Sequence, residues 1–426
     1  MSLPRETRSG VRAAVLVWLC VLAVDVCAQA ALSKHDRDVM RTMLRQVYDD
    51  LAKHYYDATF HGINLNSRFR DAQRRLEIAP TLNDTVATVS EFVLQLGDSH
   101  TAFIPPNRRV RVDYGWQMAM VGDVPLVTAV EAGSDAAAKG LAPGDRVLLL
   151  NALEPTRRNL GRLAYFYRFV GPQRTQRLGV LKPDGTARTM DVASRVVDTP
   201  VSDLGDILTE LEATLDRARD RFASVDEGRI LVWKMAVFAS PDAVKEAIGK
   251  ARGHRALVLD LRANGGGAVA ALKALVSGCF DRDIVIATET RRDKSVREVA
   301  KPARSGFSGG LVVLVDSQSA SAAEMFARIV QLEKRGRLVG DRTAGAVMTA
   351  RVFPHQIEGL TYATTITVGD VRMSDGASLE NSGVEPDQIV LPTPADLAAG
   401  RDPALAEAIA TAGGALTPTE AGRLFK

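Results

Sequence analysis

Apolar residues recur at three- and four-residue intervals early in the chain. Val39, Met43, Val47 and Leu51 form one stripe, Phe69, Ala72 and Leu76 a weaker second, and Val86, Val89, Val93 and Leu96 a third. A helix brings such positions onto one face, so three amphipathic helices and a small helical bundle are predicted between Asp36 and Leu96. The third stripe stops at Gly97, a residue suited to a left-handed helix end. From about Val110 to Val197 the period shortens. Pro125–Val130 reads as a strand, Gly133-Ser134 leads into a short helix around Ala136–Lys139, and Gly140-Leu141-Ala142-Pro143-Gly144-Asp145 turns into a strand over Arg146–Leu150. From about Leu204 the texture alternates between α and β. Leu257–Leu261 and Leu311–Val315 are short apolar runs of the buried, parallel-strand kind. Each is followed by a turn of small residues and a helical pattern, Ala268–Val276 and Ala320–Glu333. The alanine-rich tail from Pro394 predicts one surface helix over Pro403–Ala412.

The first thirty residues read differently. Arg5, Arg8 and Arg12 precede an apolar run from Ala13 to Val24, and Ala28-Gln29-Ala30 then offers small residues at a cleavage site. This is the pattern of a secretory signal over residues 1–30, and the run is short of the ~20 residues that span a bilayer. The expected mature protein is exported, periplasmic or secreted, with no stable membrane anchor. Removing the signal leaves Cys279 as the remaining cysteine, so no internal disulfide can form. Following Ala270–Val276, Cys279 reads as a small buried hydrophobe. A chain of 426 residues with 46% hydrophobic and 25% charged content supports a large core in two to four domains. Its net charge of +3 gives no reason to expect a nucleic-acid partner.

The segment from Pro125 to Leu150 resembles a PDZ module in its succession of strand, Gly-Ser, short helix, Gly-Leu-x-Pro-Gly-Asp and strand. PDZ modules bind a peptide by adding it as a strand to a sheet edge. The resemblance implies a carboxylate-binding turn near Tyr114-Gly115-Trp116-Gln117, with Gly115 and Trp116 as substrate-binding candidates.

Two segments fall where α/β sheets place their chemistry, at the carboxyl ends of strands. Ser321 lies in Ser319-Ala320-Ser321-Ala322-Ala323-Glu324, after an apolar strand and at a helix start. The commoner role for such a serine is to cap the helix. A helix N-terminus also favours developing negative charge, and small neighbours let a substrate backbone approach. Asp260-Leu261-Arg262-Ala263-Asn264-Gly265-Gly266-Gly267 ends a strand in three glycines, which reads as a tight turn or as backbone aimed into a cavity. One of Gly265 and Gly266, together with Ala322, would supply the two N–H donors of an oxyanion hole. No GxxxxGK[ST] pattern is present, which argues against a nucleotide. Among six histidines, His100 stands in a polar turn, Leu96-Gly97-Asp98-Ser99-His100-Thr101. No HExxH or Cys/His cluster occurs, so neither a metal nor another cofactor is expected.

Taken together these segments resemble the S41 peptidases, the group of C-terminal processing (tail-specific) proteases and the tricorn core protease. The motifs are Asp98–Thr101, the PDZ-like module, Asp260–Gly267, Ser319–Glu324, Gly340-Asp341-Arg342-Thr343-Ala344-Gly345 and Glu380-Asn381-Ser382-Gly383-Val384-Glu385-Pro386-Asp387, in that order. The processing proteases carry a lysine base in a Thr-Phe-Gly-Lys-Gly segment; the matching stretch here is Thr343-Ala344-Gly345-Ala346-Val347, with Ala346 at the lysine position. The resemblance therefore implies the tricorn-like alternative, a Ser-His-Ser-Glu tetrad of Ser321, His100, Ser99 and Glu380. His100, with an ordinary pKa near 6.5, would take the Ser321 proton at neutral pH, so catalysis would decline below about that value.

The implied fold is an α/β core of the crotonase/ClpP-like S41 type. A helical cap is expected over residues 31–105, a PDZ-like β module over 106–200, the peptidase core over 201–395 and a helical tail over 396–426. The implied function is hydrolysis of polypeptides through an acyl-enzyme on Ser321, with the module presenting the substrate and oligomers possible. The alternatives are an S41-like binding protein without turnover, or an esterase or amidase on the same residues.

Overall fold

The computed structural model describes residues 32–106, 110–198 and 219–425. The expected signal segment lies outside these residues. No helix among the described residues is long and apolar enough to cross a membrane.

The described residues open with helices α1 (Lys34–His54), α2 (Leu65–Ile78) and α3 (Leu82–Leu94). Capping boxes start α1 at Ser33 and α3 at Thr81, satisfying N–H groups that a helix start leaves open. The three predicted stripes are all buried, and they meet Phe103, Tyr362 and Ile366 from the strands beneath. Gly97 closes the α3 end in the left-handed region, with φ 81°. Strand β1 (Ala102–Ile104) follows at once and pairs with a strand near the far end of the chain, so the turn carrying His100 is fixed at both sides.

Strand β2 (Val110–Asp113) pairs antiparallel with β8 (Arg195–Asp198), which brings the entry and exit of the intervening segment together. Between them β3 (Trp116–Val121), β4 (Val124–Val130), β5 (Arg146–Leu150), β6 (Thr175–Leu181) and β7 (Ala187–Ala193) form a sequential antiparallel sheet. Helices α4 (Asp135–Ala138) and α5 (Leu160–Tyr165) lie within the same segment. The segment has its own apolar cluster, including Val127, Ala136, Leu141, Val147 and Leu178.

The remainder holds two sheets. Strands β9 (Arg221–Val225), β10 (Ile230–Lys234), β11 (Ala256–Asp260), β14 (Gly310–Val315), β15 (Arg337–Gly340) and β18 (Gln388–Ile389) form one, parallel except for β9. Helices α6 (Pro241–Ala251), α7 (Val269–Cys279) and α8 (Ala322–Leu332) cover its first face through Leu231, Leu257, Leu259, Leu311 and Val313. Strands β12 (Ile284–Thr290), β13 (Ser295–Ala300), β16 (Met348–Ile357) and β17 (Leu360–Met373), joined by β1, form the second sheet. Cys279 is buried in the first-face cluster, and burial pushes its thiol up to about 12.

The tail corrects the expectation of a surface helix. After α9 (Pro394–Ala399), helix α10 (Pro403–Thr411) packs Leu405, Ala408 and Ile409 against Ile230, Val232, Val258, Val312 and Leu314, the alternate residues of the main sheet. Strands buried on both faces need a second cover, and α10 supplies it. Arg262 fixes it, bridging buried Asp260 at the end of β11 to Asp402, the N-cap of α10, at 2.8–2.9 Å.

Candidate active site

The carboxyl ends of β11 and β14, neighbours in the sheet, are stitched together by their following loops. Ser319 Oγ donates to Leu261 O at 2.8 Å, Ala263 N–H donates to Asp316 Oδ1 at 3.0 Å, and Ala320 N–H donates to Asn264 O at 2.9 Å. Fully buried Asn264 completes the stitch, donating to Met235 O at 3.0 Å and accepting the Gly266 N–H at 2.8 Å. The result is a rigid turn that presents Ser321 at the start of α8.

Ser321 stands at the N-cap position but with φ 55° and ψ −117°. An ordinary capping serine has extended backbone, and a non-glycine residue held at positive φ costs on the order of 1–3 kcal/mol. Two acceptors hold this conformation: the Ser321 N–H lies 2.9 Å from Ala346 O and 3.1 Å from Glu324 Oε2. Gly266, with φ 94°, sits directly against the turn. A Cβ there would lie 2.6 Å from Ser321 Cβ and 3.0 Å from Ala322 N, so only glycine permits the approach.

That geometry sorts the oxyanion candidates. The Gly266 N–H is donated to Asn264, which removes it from the donor set. Among the described residues, the N–H groups of Gly265 and Ala322 have no acceptor, and both flank the Ser321 turn.

On the other side of the site, His100, Ser99 and Glu380 form a continuous hydrogen-bonded chain. His100 Nδ1 lies 2.7 Å from Ser99 Oγ, which lies 2.8 Å from Glu380 Oε2; the Ser99 N–H donates to Glu380 Oε1 at 2.8 Å. Glu380 also accepts the Val347 N–H at 2.9 Å. Burial pushes its carboxyl above the usual range, while these hydrogen bonds pull it back. Burial lowers the His100 pKa, and the nearby Asp98 carboxylate opposes that shift.

The two halves meet at the segment where the lysine of the processing proteases would fall. Ala346 O holds the Ser321 turn, and the next residue, Val347, holds Glu380. Among the described residues no hydrogen bond joins His100 Nε2 to the Ser321 hydroxyl; such contacts are commonly long without substrate and tighten on binding.

The turn at Gly115 and Trp116 is tied up internally. The Gly115 N–H donates to Asp113 Oδ1 at 2.9 Å, and the turn packs so closely on Ser134 that a Cβ at Gly115 would lie 2.4 Å from its Cβ. Trp116 begins edge strand β3 and donates through Nε1 to Gln176 at 3.2 Å. The far end of β3 reaches the core: Ser317 Oγ donates to Met120 O at 2.6 Å, and the Gly122 N–H to Asp341 Oδ2 at 2.9 Å. Arg157 locks this junction, donating to Asp341 at 2.7 Å, to Gly122 O and to Arg342 O.

Comparison with known proteins agrees with this architecture. Residues 228–390 match the model of one protein family, described as peptidase family S41. The carboxyl-terminal-processing protease of Picosynechococcus sp. (strain ATCC 27264 / PCC 7002 / PR-6) is 25% identical over 407 residues, covering 91% of either chain. The stretch 228–390, which holds Ser321 and Glu380, is thus similar to the S41 peptidases. Among solved structures, mature CPAF complexed with lactacystin matches with a TM-score of 0.65 and 16% identity, over 85% of this chain and 95% of that one. The photosystem II D1 C-terminal processing protease matches with a TM-score of 0.51 and 19% identity, over 83% and 93%. At these identities the likeness is one of fold, and the S41 fold fits this chain. The reaction class is that of a serine-type peptidase.

Sequence reasoning passed over one heavily bonded, buried carboxylate. Glu324 is fully buried on α8 and accepts four hydrogen bonds, from Thr343 Oγ1, Gly345 N–H, Ala346 N–H and Ser321 N–H, at 2.6–3.1 Å. Its signal was a carboxylate on the otherwise apolar buried face of a helix, between Ala323 and Met325.

Proposed function

We propose that this peptidase is exported and hydrolyses polypeptides through an acyl-enzyme on Ser321, with His100 as general base, oriented by Ser99 and Glu380. The observation that carries this reading is the hydrogen-bonded chain from Glu380 through Ser99 to His100 Nδ1, tied to the Ser321 turn by Ala346 and Val347. An ionised Glu380 accepts from the Ser99 hydroxyl, whose oxygen accepts from Nδ1–H. That leaves Nε2 as a proton acceptor, the tautomer a general base needs.

In the reaction, Ser321 Oγ attacks the scissile carbonyl carbon as its proton passes to His100 Nε2. The tetrahedral oxyanion accepts from the Gly265 and Ala322 N–H groups. Collapse breaks the C–N bond, and Nε2–H gives the proton to the departing amine. Water then attacks the acyl-enzyme with His100 again as base, releasing the new carboxylate and restoring Ser321. The relatives' names speak of carboxyl-terminal processing, and export is read from residues 1–30.

The test is the pH dependence of turnover of an unfolded polypeptide. Because burial lowers the His100 pKa, and protonation removes the base, kcat/KM is expected to fall only below about pH 6.5, on a single acid limb. A rate unchanged down to about pH 4 would exclude histidine as the base.

The PDZ-like module, in this reading, guides the substrate along the free part of the β3 edge toward Ser321. Arg157 then serves as its clamp. Arg157→Ala is expected to raise KM for polypeptides several-fold while leaving the labelling rate by a small fluorophosphonate unchanged. Equal losses in both would instead place Arg157 in support of the catalytic turn.

A further inference from the structure

A histidine and its orienting serine that are adjacent in sequence present a geometric problem. In extended chain their side chains point to opposite sides, yet here they lie in one hydrogen-bonded row. The structure contains the device that solves it. Asp98 Oδ1 accepts the backbone N–H of His100 at 3.0 Å and that of Thr101 at 2.8 Å, folding residues 98–101 into a turn closed by a side chain. The same carboxylate is anchored from two elements, accepting Thr367 Oγ1 at 2.6 Å from β17 and Tyr55 Oη at 2.9 Å from the end of α1.

We propose that Asp98 is the positioning residue for His100: it sets the turn that places Ser99 and His100 in line, and its charge stabilises the imidazolium formed during proton transfer. This rests on His100 being the general base. The Asp98 carboxylate, beside the turn, opposes the lowering of the His100 pKa by burial. Glu380, by contrast, reaches the ring through the Ser99 hydroxyl. Other ionisable groups around the turn are Tyr55, Tyr56 and His61 from the α1 end, and Asp370 and Arg372 from β17. Tyr56, His61, Asp370 and Arg372 line, with Asp98 and Glu380, a cleft of about 370 Å³. Asp370 and Arg372 pair with each other at 2.8 Å, and His61 contacts the Tyr55 and Tyr56 hydroxyls at 3.1 and 3.2 Å. Among the described residues, Asp98 is therefore the carboxylate built into the His100 turn itself.

The experiment compares the kcat/KM pH profiles of the full-length enzyme and of Asp98→Asn. The amide retains an oxygen for the turn but lacks the charge. Losing on the order of tenfold in kcat/KM at neutral pH, with the acid limb moved to lower pH by a measurable fraction of a unit, is the expected outcome. Asp98→Glu keeps the charge while misplacing the acceptor, and answers the same question if the amide variant does not fold. Its limb is expected at the wild-type position with kcat lowered about tenfold. An Asp98→Asn enzyme with the wild-type rate and limb overturns the role of Asp98 alone, as does Asp98→Glu with wild-type kcat. A wild-type enzyme with no acid limb overturns the tetrad, and this role with it.

Discussion

Ser321→Ala is expected to abolish covalent labelling by a fluorophosphonate probe and to lower turnover of an unfolded polypeptide by at least ~10⁴-fold. The size follows from what the residue would do. Without Oγ there is no acyl-enzyme, and the Gly265 and Ala322 donors can only assist attack by water. A factor of ~10⁴ corresponds to about 5.5 kcal/mol of barrier. The fold should survive the change. Ser321 holds its place through its backbone N–H, bonded to Ala346 O and Glu324, and alanine retains that N–H. Loss of labelling with an unchanged melting temperature is therefore the expected pair of results. Labelling that persists in the variant would move the nucleophile elsewhere, and turnover that persists without labelling would remove the acyl-enzyme from the scheme.

The sequence carried more of the fold than of the site's wiring. Helix stripes such as Val39-Met43-Val47-Leu51 are legible because periodicity reports which face is buried, and all four residues are buried in the structure. Apolar runs such as Leu311–Val315 are legible as buried parallel strands for a similar reason. The α10 helix was misread because alanine is at home on a surface or under a close partner. The sheet's second face, which decides between these, is assembled from five distant strands. The three glycines announced close backbone approach, and Gly266 makes it. Which N–H remains free was not legible, since that depends on where the Asn264 side chain turns. Likewise Ser99-His100 could be matched to a motif, but the turn that makes neighbours cooperate is set by Asp98 and two residues far away, Tyr55 and Thr367.

Glu324→Ala is expected to damage stability and activity together. The carboxylate sits at 0% exposure, and its four donors come from three places in the chain: the Ser321 turn, Thr343, and the Gly345–Ala346 backbone. Ser321 N–H keeps Ala346 O as a second acceptor, whereas the Gly345 and Ala346 N–H groups would be left without one. Each buried donor without an acceptor costs ~1–3 kcal/mol, so a loss on the order of 3–5 kcal/mol follows. At roughly 2–4 °C per kcal/mol for a chain of this class, the melting temperature should fall on the order of 10 °C. Activity should fall further than stability alone requires, because Ala346 links the Ser321 turn to Val347 and thence to Glu380. Glu324→Gln separates the two effects. The amide fills the same volume, but its NH₂ must face N–H donors on one side. A smaller drop in melting temperature is expected, with probe labelling still strongly slowed. If Glu324→Ala melts at the wild-type temperature and labels at the wild-type rate, the positive-φ turn at Ser321 holds without this carboxylate. The strain would then have to be borne by the Asn264 stitch and the Ala346 carbonyl.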